Sequence, residues 1–271
     1  MTAGDIITIK GSTASRKAAA FDGTDDYILA DAHAVARVAA NDTVGTYSAW
    51  IYRDNDTGDN TILSAGDNDS TNEFLKFFVS VGKLIVRLDI GGAVQFQVVE
   101  TTASMSLKKW YHVAVVQNGT QLVLYIDGLA VAATNSTATD LTMWYDELTA
   151  CDKFAIGVKE SNNTHTDDFS GMISDVKYWN IALNPAEVLQ DKLGETTDKD
   201  ATYLQLHLLK GDYGITDQGL GADNGSLTGD AYLCGEGSEH SRRLDGSAVV
   251  ADDITTVTYP GGAMSTIVKA A

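Results

Sequence analysis

Residues 110–127, Trp110-Tyr111-His112-Val113-Ala114-Val115-Val116-Gln117-Asn118-Gly119-Thr120-Gln121-Leu122-Val123-Leu124-Tyr125-Ile126-Asp127, decide the fold class. Two runs rich in β-branched and aromatic residues flank an Asn-Gly step, and that step supplies the positive φ angles of a tight hairpin. The runs at 83–90 (KLIVRLDI) and 93–99 (AVQFQVV) meet at Gly91-Gly92 and read as a second hairpin by the same logic. Further runs of the same kind lie at 47–53, 74–80, 153–158, 172–179 and 203–209. About nine strands at this spacing predict an all-β, two-sheet antiparallel sandwich.

One segment carries a helix start signal: Asn184 as N-cap, Pro185 at the first position and Glu187 at the third, followed by Val188, Leu189 and Leu193, with Gly194 as the stop. The folded unit is expected to span 19–235, with an N-terminal arm at 1–18 and a C-terminal extension at 236–271. That extension holds Ile254, Val257, Tyr259, Ile267 and Val268, spaced so that they can pair as a strand.

The chain has 271 residues, of which 44% are hydrophobic, with 19 Lys+Arg against 37 Asp+Glu and a net charge of −18. No basic stripe exists to displace counterions from phosphates, so a nucleic-acid partner is not expected. Anionic membrane surfaces are disfavoured in the same way. The first residues lack an apolar segment of signal-peptide length, so synthesis in the cytoplasm without Sec export is expected. Sequons such as those at Asn118 and Asn135 then carry little weight. Two cysteines, Cys151 and Cys234, are too few for a disulfide scaffold and read as buried small hydrophobes.

Several ordered stretches resemble the laminin-G-like, pentraxin-like branch of the concanavalin A-like jelly rolls. They are Phe21-Asp22-Gly23-Thr24-Asp25-Asp26-Tyr27, Tyr47-Ser48-Ala49-Trp50-Ile51, Trp110 to Val115 with Leu124-Tyr125-Ile126-Asp127-Gly128, Phe154-Ala155-Ile156-Gly157, Phe169 to Val176, Tyr178-Trp179-Asn180 and Leu183 to Val188. The resemblance covers about Ala19 to Leu193, with a weaker echo from Tyr203 to Leu227. It implies a jelly-roll sandwich with one short helix and two sheets of six or seven strands each.

No G-x-S-x-G elbow is present, and no strand carries the Glu-x-Asp-x-x-Glu run of the catalytic members of this fold. The strand acids Asp89, Asp127 and Asp175 stand singly, so an enzyme is not expected. The histidines His33, His112, His165, His207 and His240 lack metal-ligand spacing, and His112 reads as a hydrogen-bonded core residue.

Calcium is possible though not required, because Asx-rich loops supply the oxygens it wants. The loops at 54–59, 67–73 and 160–168 qualify, but none completes an EF-hand. The pentraxin-like resemblance implies ligands at Asn72, Glu73, Glu160, Asn163, Asp167 and Asp168, with Thr71 standing where an aspartate would be expected. Loop aromatics Trp144, Tyr145 and Tyr213 are candidate glycan platforms, whereas Trp50, Trp110 and Trp179 lie in strands and read as core.

The expected function is that of a non-enzymatic structural or interaction protein on the surface of a tailed-bacteriophage particle, as head decoration or fibre component. Capsid or fibre proteins, further copies of the chain and cell-surface glycans are the expected partners. The alternative is an extracellular lectin-like carbohydrate-binding protein, calcium-dependent or not.

Overall fold

The computed structural model describes residues 18–194 in full and the backbone of Lys17. Beyond them it describes the backbone strands at 202–207, 216–217, 226–228, 232–235, 257–258 and 264–265. In chain order the elements begin β1 (Lys17–Asp22), β2 (Tyr27–Leu29), α1 (Asp31–Ala40), β3 (Gly45–Arg53), β4 (Asp59–Gly66), β5 (Phe74–Ser80), β6 (Lys83–Ile90) and β7 (Ala93–Glu100). There follow β8 (Trp110–Gln117), β9 (Leu122–Ile126), β10 (Leu129–Ala130), β11 (Ala133–Ala138), β12 (Lys153–Ile156), β13 (Lys159–Ser161), β14 (Thr164–Thr166), β15 (Ser170–Trp179) and α2 (Pro185–Leu193). The last are β16 (Thr202–His207), β17 (Thr216–Asp217), β18 (Ser226–Thr228), β19 (Tyr232–Gly235), β20 (Val257–Thr258) and β21 (Met264–Ser265).

Two antiparallel sheets face each other. A nine-stranded sheet runs β10-β9-β8-β3-β15-β1-β19, with β16 on the second half of β15 and β17 beside it. An eight-stranded sheet runs β11-β7-β6-β5-β4-β12-β2-β18. Both exceed the six or seven strands expected, because two- and three-residue edge strands such as β10, β17 and β18 leave no alternation to read.

The core lies between the sheets and is built by alternation. Tyr47, Ala49 and Ile51 of β3, Val113 and Val115 of β8, and Leu75, Phe77 and Val79 of β5 all point inward. A bulge in β4 between Thr61 and Leu63 turns both Ile62 and Leu63 into the core. Trp50 and Trp110, read as core from the sequence, are only partly buried; they sit on the outward parity of β3 and β8.

Two helices form, where the sequence signals one. The additional helix, α1, starts at Ala30 with no side-chain cap, which is why no start signal marks it. It seals one end of the sandwich through a buried polar network. His33 Nε2 lies 2.8 Å from Tyr47 Oη, which also bonds Tyr145 Oη. Trp144 Nε1 donates to Tyr178 Oη at 3.2 Å, and Tyr178 Oη donates to Asp42 at 3.0 Å, opposite Arg37. Burial raises the phenols of Tyr47, Tyr145 and Tyr178 well above the ordinary tyrosine range, so they serve as neutral hydrogen-bonding groups.

Helix α2 is capped as its sequence indicates, with the Asn184–Glu187 box at one end and Gly194 in the left-handed conformation at the other. It covers the outer face of the nine-stranded sheet, where Leu183 and Val188 join Ala114, Val116, Tyr125 and Trp179 in a second apolar cluster. Its anchor is Asp191, which receives His112 Nε2 at 3.0 Å and Lys177 Nζ at 2.6 Å. His112 is therefore the hydrogen-bonded buried histidine that the sequence predicts.

Of the C-terminal extension, Val257 pairs with Ser265 in a hairpin of its own, whereas Ile254, Tyr259, Ile267 and Val268 lie outside the described residues. Among the described residues no helix is long and apolar enough to cross a membrane.

Burial alone would raise the Asp191 carboxyl, but the His112 hydrogen bond and the Lys177 charge outweigh it and hold the group well below the usual carboxylate range. A depressed folded-state pKa gives stability that is present above the unfolded value, near 4, and is lost as pH falls through the folded one. Asp191→Asn is therefore expected to cost about 3 kcal/mol at pH 7. It should also flatten the loss of stability below about pH 4 in urea melts.

Candidate functional site

The outward residues of β5, β6 and β7 form the floor of a groove of about 460 Å³, a volume within the range of small-ligand sites. Alternation sends Phe74, Lys76, Phe78 and Ser80 to this face while their neighbours fill the core. Register then sets the cross-strand pairs: Lys76 opposite Arg87, Phe78 opposite Ile85, Phe74 opposite Asp89, and Gln97 on the far side of Arg87.

One wall is the β13–β14 hairpin, which lies over β4. Ser64 Oγ accepts from Glu160 N at 3.0 Å and donates to Val158 O at 2.9 Å. Gly66 permits the close approach, since a Cβ there would stand 2.3 Å from the Glu160 carbonyl oxygen. The wall contributes Lys159, and the segment after the hairpin contributes Asp167.

The groove is a set of charge pairs on aromatic rings. Lys76, 3% exposed, donates to Asp59 at 2.8 Å and Asp167 at 2.6 Å, and its ammonium sits 4.1 Å from the Phe78 ring centroid. Arg87 holds Asp89 in a bidentate pair at 2.6 and 2.7 Å. The Phe74 ring receives Arg87 at 5.6 Å and Lys159 at 4.0 Å. Lys159 is pushed below the ordinary lysine range by burial first and then by the charge of Lys76.

The sequence-derived platforms are elsewhere. Trp144 and Tyr145 are fully buried in the α1 network, and an aromatic with no exposed face cannot stack on a sugar, so that assignment is corrected. Tyr213 lies outside the described residues.

The residues that the resemblance implied for calcium have other employment. Glu73 accepts from Ala150 N at 2.8 Å, Glu160 pairs with His165, and Asp167 belongs to Lys76. Asn72 and Asn163 are exposed, and Asn163 forms the hairpin tip with Asn162, both at positive φ. Burial raises the Asp168 carboxyl above the ordinary aspartate range. Among the described residues, the one place where three carboxylates bring an oxygen each within 4.8 Å is Asp22, Asp25 and Asp26, in the opening turn. Among the described residues, Glu73, Glu160, Asp167 and Asp168 supply no group of three with a carboxylate oxygen each within 4.8 Å of one another.

The groove cations Lys76, Arg87 and Lys159 were not singled out from sequence. Charged residues interrupting the apolar runs of β5 and β6 were the available signal.

Gly66→Val is expected to displace the β13–β14 hairpin. It should lower stability by about 1–3 kcal/mol, as overpacking does, and raise hydrogen exchange at Glu160 and His165. An unchanged exchange pattern would contradict the close packing of this wall.

No curated protein matches the chain. Among solved structures, a Bacteroides ovatus protein described as carbohydrate-binding superposes with a TM-score of 0.57 at 18% identity. That superposition covers 83% of this chain and 61% of the Bacteroides chain, so the present chain spans about three fifths of that protein. The CBM40 domain of the Ruminococcus gnavus IT-sialidase superposes with a TM-score of 0.55 at 17% identity, over 65% of this chain and 96% of that one. A leech intramolecular trans-sialidase gives 0.55 at 19% identity, over 67% of this chain but 27% of the enzyme. A laminin-G-type family model, described as concanavalin A-like lectin/glucanases superfamily, matches residues 22–189, more than half of the chain. With its two-sheet antiparallel sandwich, the chain belongs to the concanavalin A-like lectin/glucanase superfamily.

Proposed function

We propose that the chain binds glycans in the groove on the outer face of the eight-stranded sheet and does not cleave them. The observation that carries this reading is the polar-floored cavity of about 460 Å³ on one sheet, while the outer face of the other is packed under α2. Ser80 and Gln97, both partly exposed on the groove floor, offer hydrogen bonds to hydroxyls. Two of the structural neighbours, the Bacteroides protein and the CBM40 domain, carry carbohydrate-binding descriptions, which supports the reading.

The way the groove's acids are used supports binding without hydrolysis by paired carboxylates. The two-carboxyl route to glycoside cleavage needs one carboxyl as proton donor and a second as base or nucleophile. Here Asp59 and Asp167 hold Lys76, and Asp89 is chelated by Arg87. No aspartate of this lining is left to give up a proton.

Calcium forms no part of the proposal. None of the neighbours named above is a capsid or fibre protein. The particle-surface location expected from the sequence is a separate proposal, tested by mass spectrometry of purified phage particles.

A glycan array spanning neutral and charged sugars, followed by calorimetry on the hits, tests the binding. Ser80→Trp, which fills the groove, should abolish it, and Gln97→Ala should weaken it about five- to tenfold, the worth of one neutral hydrogen bond. Neither variant should move the melting midpoint by more than about 2 °C, as befits residues outside the core. Full binding by Ser80→Trp, or release of shortened sugar, would contradict the proposal.

A further inference from the structure

Lys159 is the groove cation without an acid of its own. Lys76 and Arg87 are each held by aspartates within 3 Å. For Lys159 no carboxylate oxygen lies within 4.0 Å among the described residues, and its ammonium rests on the Phe74 ring. The chain has 37 acidic residues against 19 Lys+Arg, so acids are in ample supply. This partly buried ammonium has lost hydration and has in exchange a cation–π contact and the more distant charges of Asp167 and Asp89, with no direct ion pair.

We infer that the sugar taken by this groove carries an anionic substituent, a carboxylate or a sulfate, which seats against Lys159 beside the Phe74 ring. The inference rests on the glycan-binding reading of the groove and names the class of glycan. Lys159 is already partly stripped of water in the free protein, so an arriving anion gains a charge-assisted contact at reduced desolvation cost. The anion displaces no existing pair, because Asp59, Asp89 and Asp167 are turned to Lys76 and Arg87. Lys76 and Arg87 bear on Lys159 through their charge, and Asp167 and Asp89 with the opposite sign, so Lys159 is the cation left to meet the anion directly.

The net charge of −18 does not oppose this. At physiological ionic strength charges more than about 8 Å away are largely screened, so contact energetics follow the lining of the groove. There three cations balance three aspartates, and the groove is positive relative to the remainder of the surface. A neutral sugar at the same place would cover Lys159 further and offer it only hydroxyl oxygens.

Calorimetry at 0.15 M salt with two matched pairs tests the inference: trigalacturonate against its methyl ester, and 6′-sulfolactose against lactose. The charged member of at least one pair is expected to bind about tenfold or more tighter than its neutral counterpart, the worth of one charge-assisted hydrogen bond. Lys159→Gln should erase that preference with an unchanged or raised melting midpoint, and Lys159→Arg should keep it. Preference in the galacturonate pair alone identifies a carboxylate, and in the sulfolactose pair alone a sulfate; either supports the inference.

Equal binding within both pairs, or a preference that survives Lys159→Gln, overturns it while leaving the groove as a glycan site. Array hits confined to neutral sugars and blocked by Ser80→Trp do the same. No hit on the array for any sugar overturns both readings.

Discussion

The alternation of β5, clamped between β4 and β6, is the constraint on which the molecule turns. Leu75, Phe77 and Val79 enter the core, and the pleat then has no choice but to send Phe74, Lys76 and Phe78 outward. A one-residue slip would bury Lys76 between the sheets and expose three core side chains. Lys76 is nearly buried even on its proper side, and it is tolerated there because Asp59 and Asp167 converge on it from separate parts of the chain. Asp167 follows the β13–β14 hairpin, so this ion pair also ties the groove's wall to its floor.

The two sheets are used unequally. The outer face of the nine-stranded sheet is spent on packing, with α2 held down by Val188, Leu183 and the buried Asp191. The outward side chains Ala18, Ala20, Tyr52 and Met172 of β1, β3 and β15 form a smaller buried cluster on another part of that face. At one end α1 and the turn at 145–147 close the sandwich with hydrogen-bonded tyrosines and Trp144. The outer face of the eight-stranded sheet carries the cavity and the charge pairs of Lys76 and Arg87.

Much of the sandwich was legible because hairpin chemistry and period-2 patterning agree at Asn118-Gly119 and Gly91-Gly92. Strand β4 was not, since DNTILSAG is polar at both ends and buried along nearly its whole length, which leaves no alternation. Helix α1 lacked a capping residue, and its alanine content was the remaining clue. Trp144 and Tyr145 looked like loop aromatics because the segment around them is irregular. Leu141, Met143 and Leu148 nearby were the hint of burial. The groove was half visible, as lysine and arginine inside apolar strands. Lys159 gained meaning only once the hairpin was seen folded over β4.

Backbone amide shift mapping with a bound glycan hit tests the account most directly. The account predicts perturbations concentrated on β5, β6, β7 and β13, at Lys76, Arg87, Gln97 and Lys159 above all. Perturbations confined to α2, to the turn at 22–26 or to the outer face of the nine-stranded sheet would contradict it.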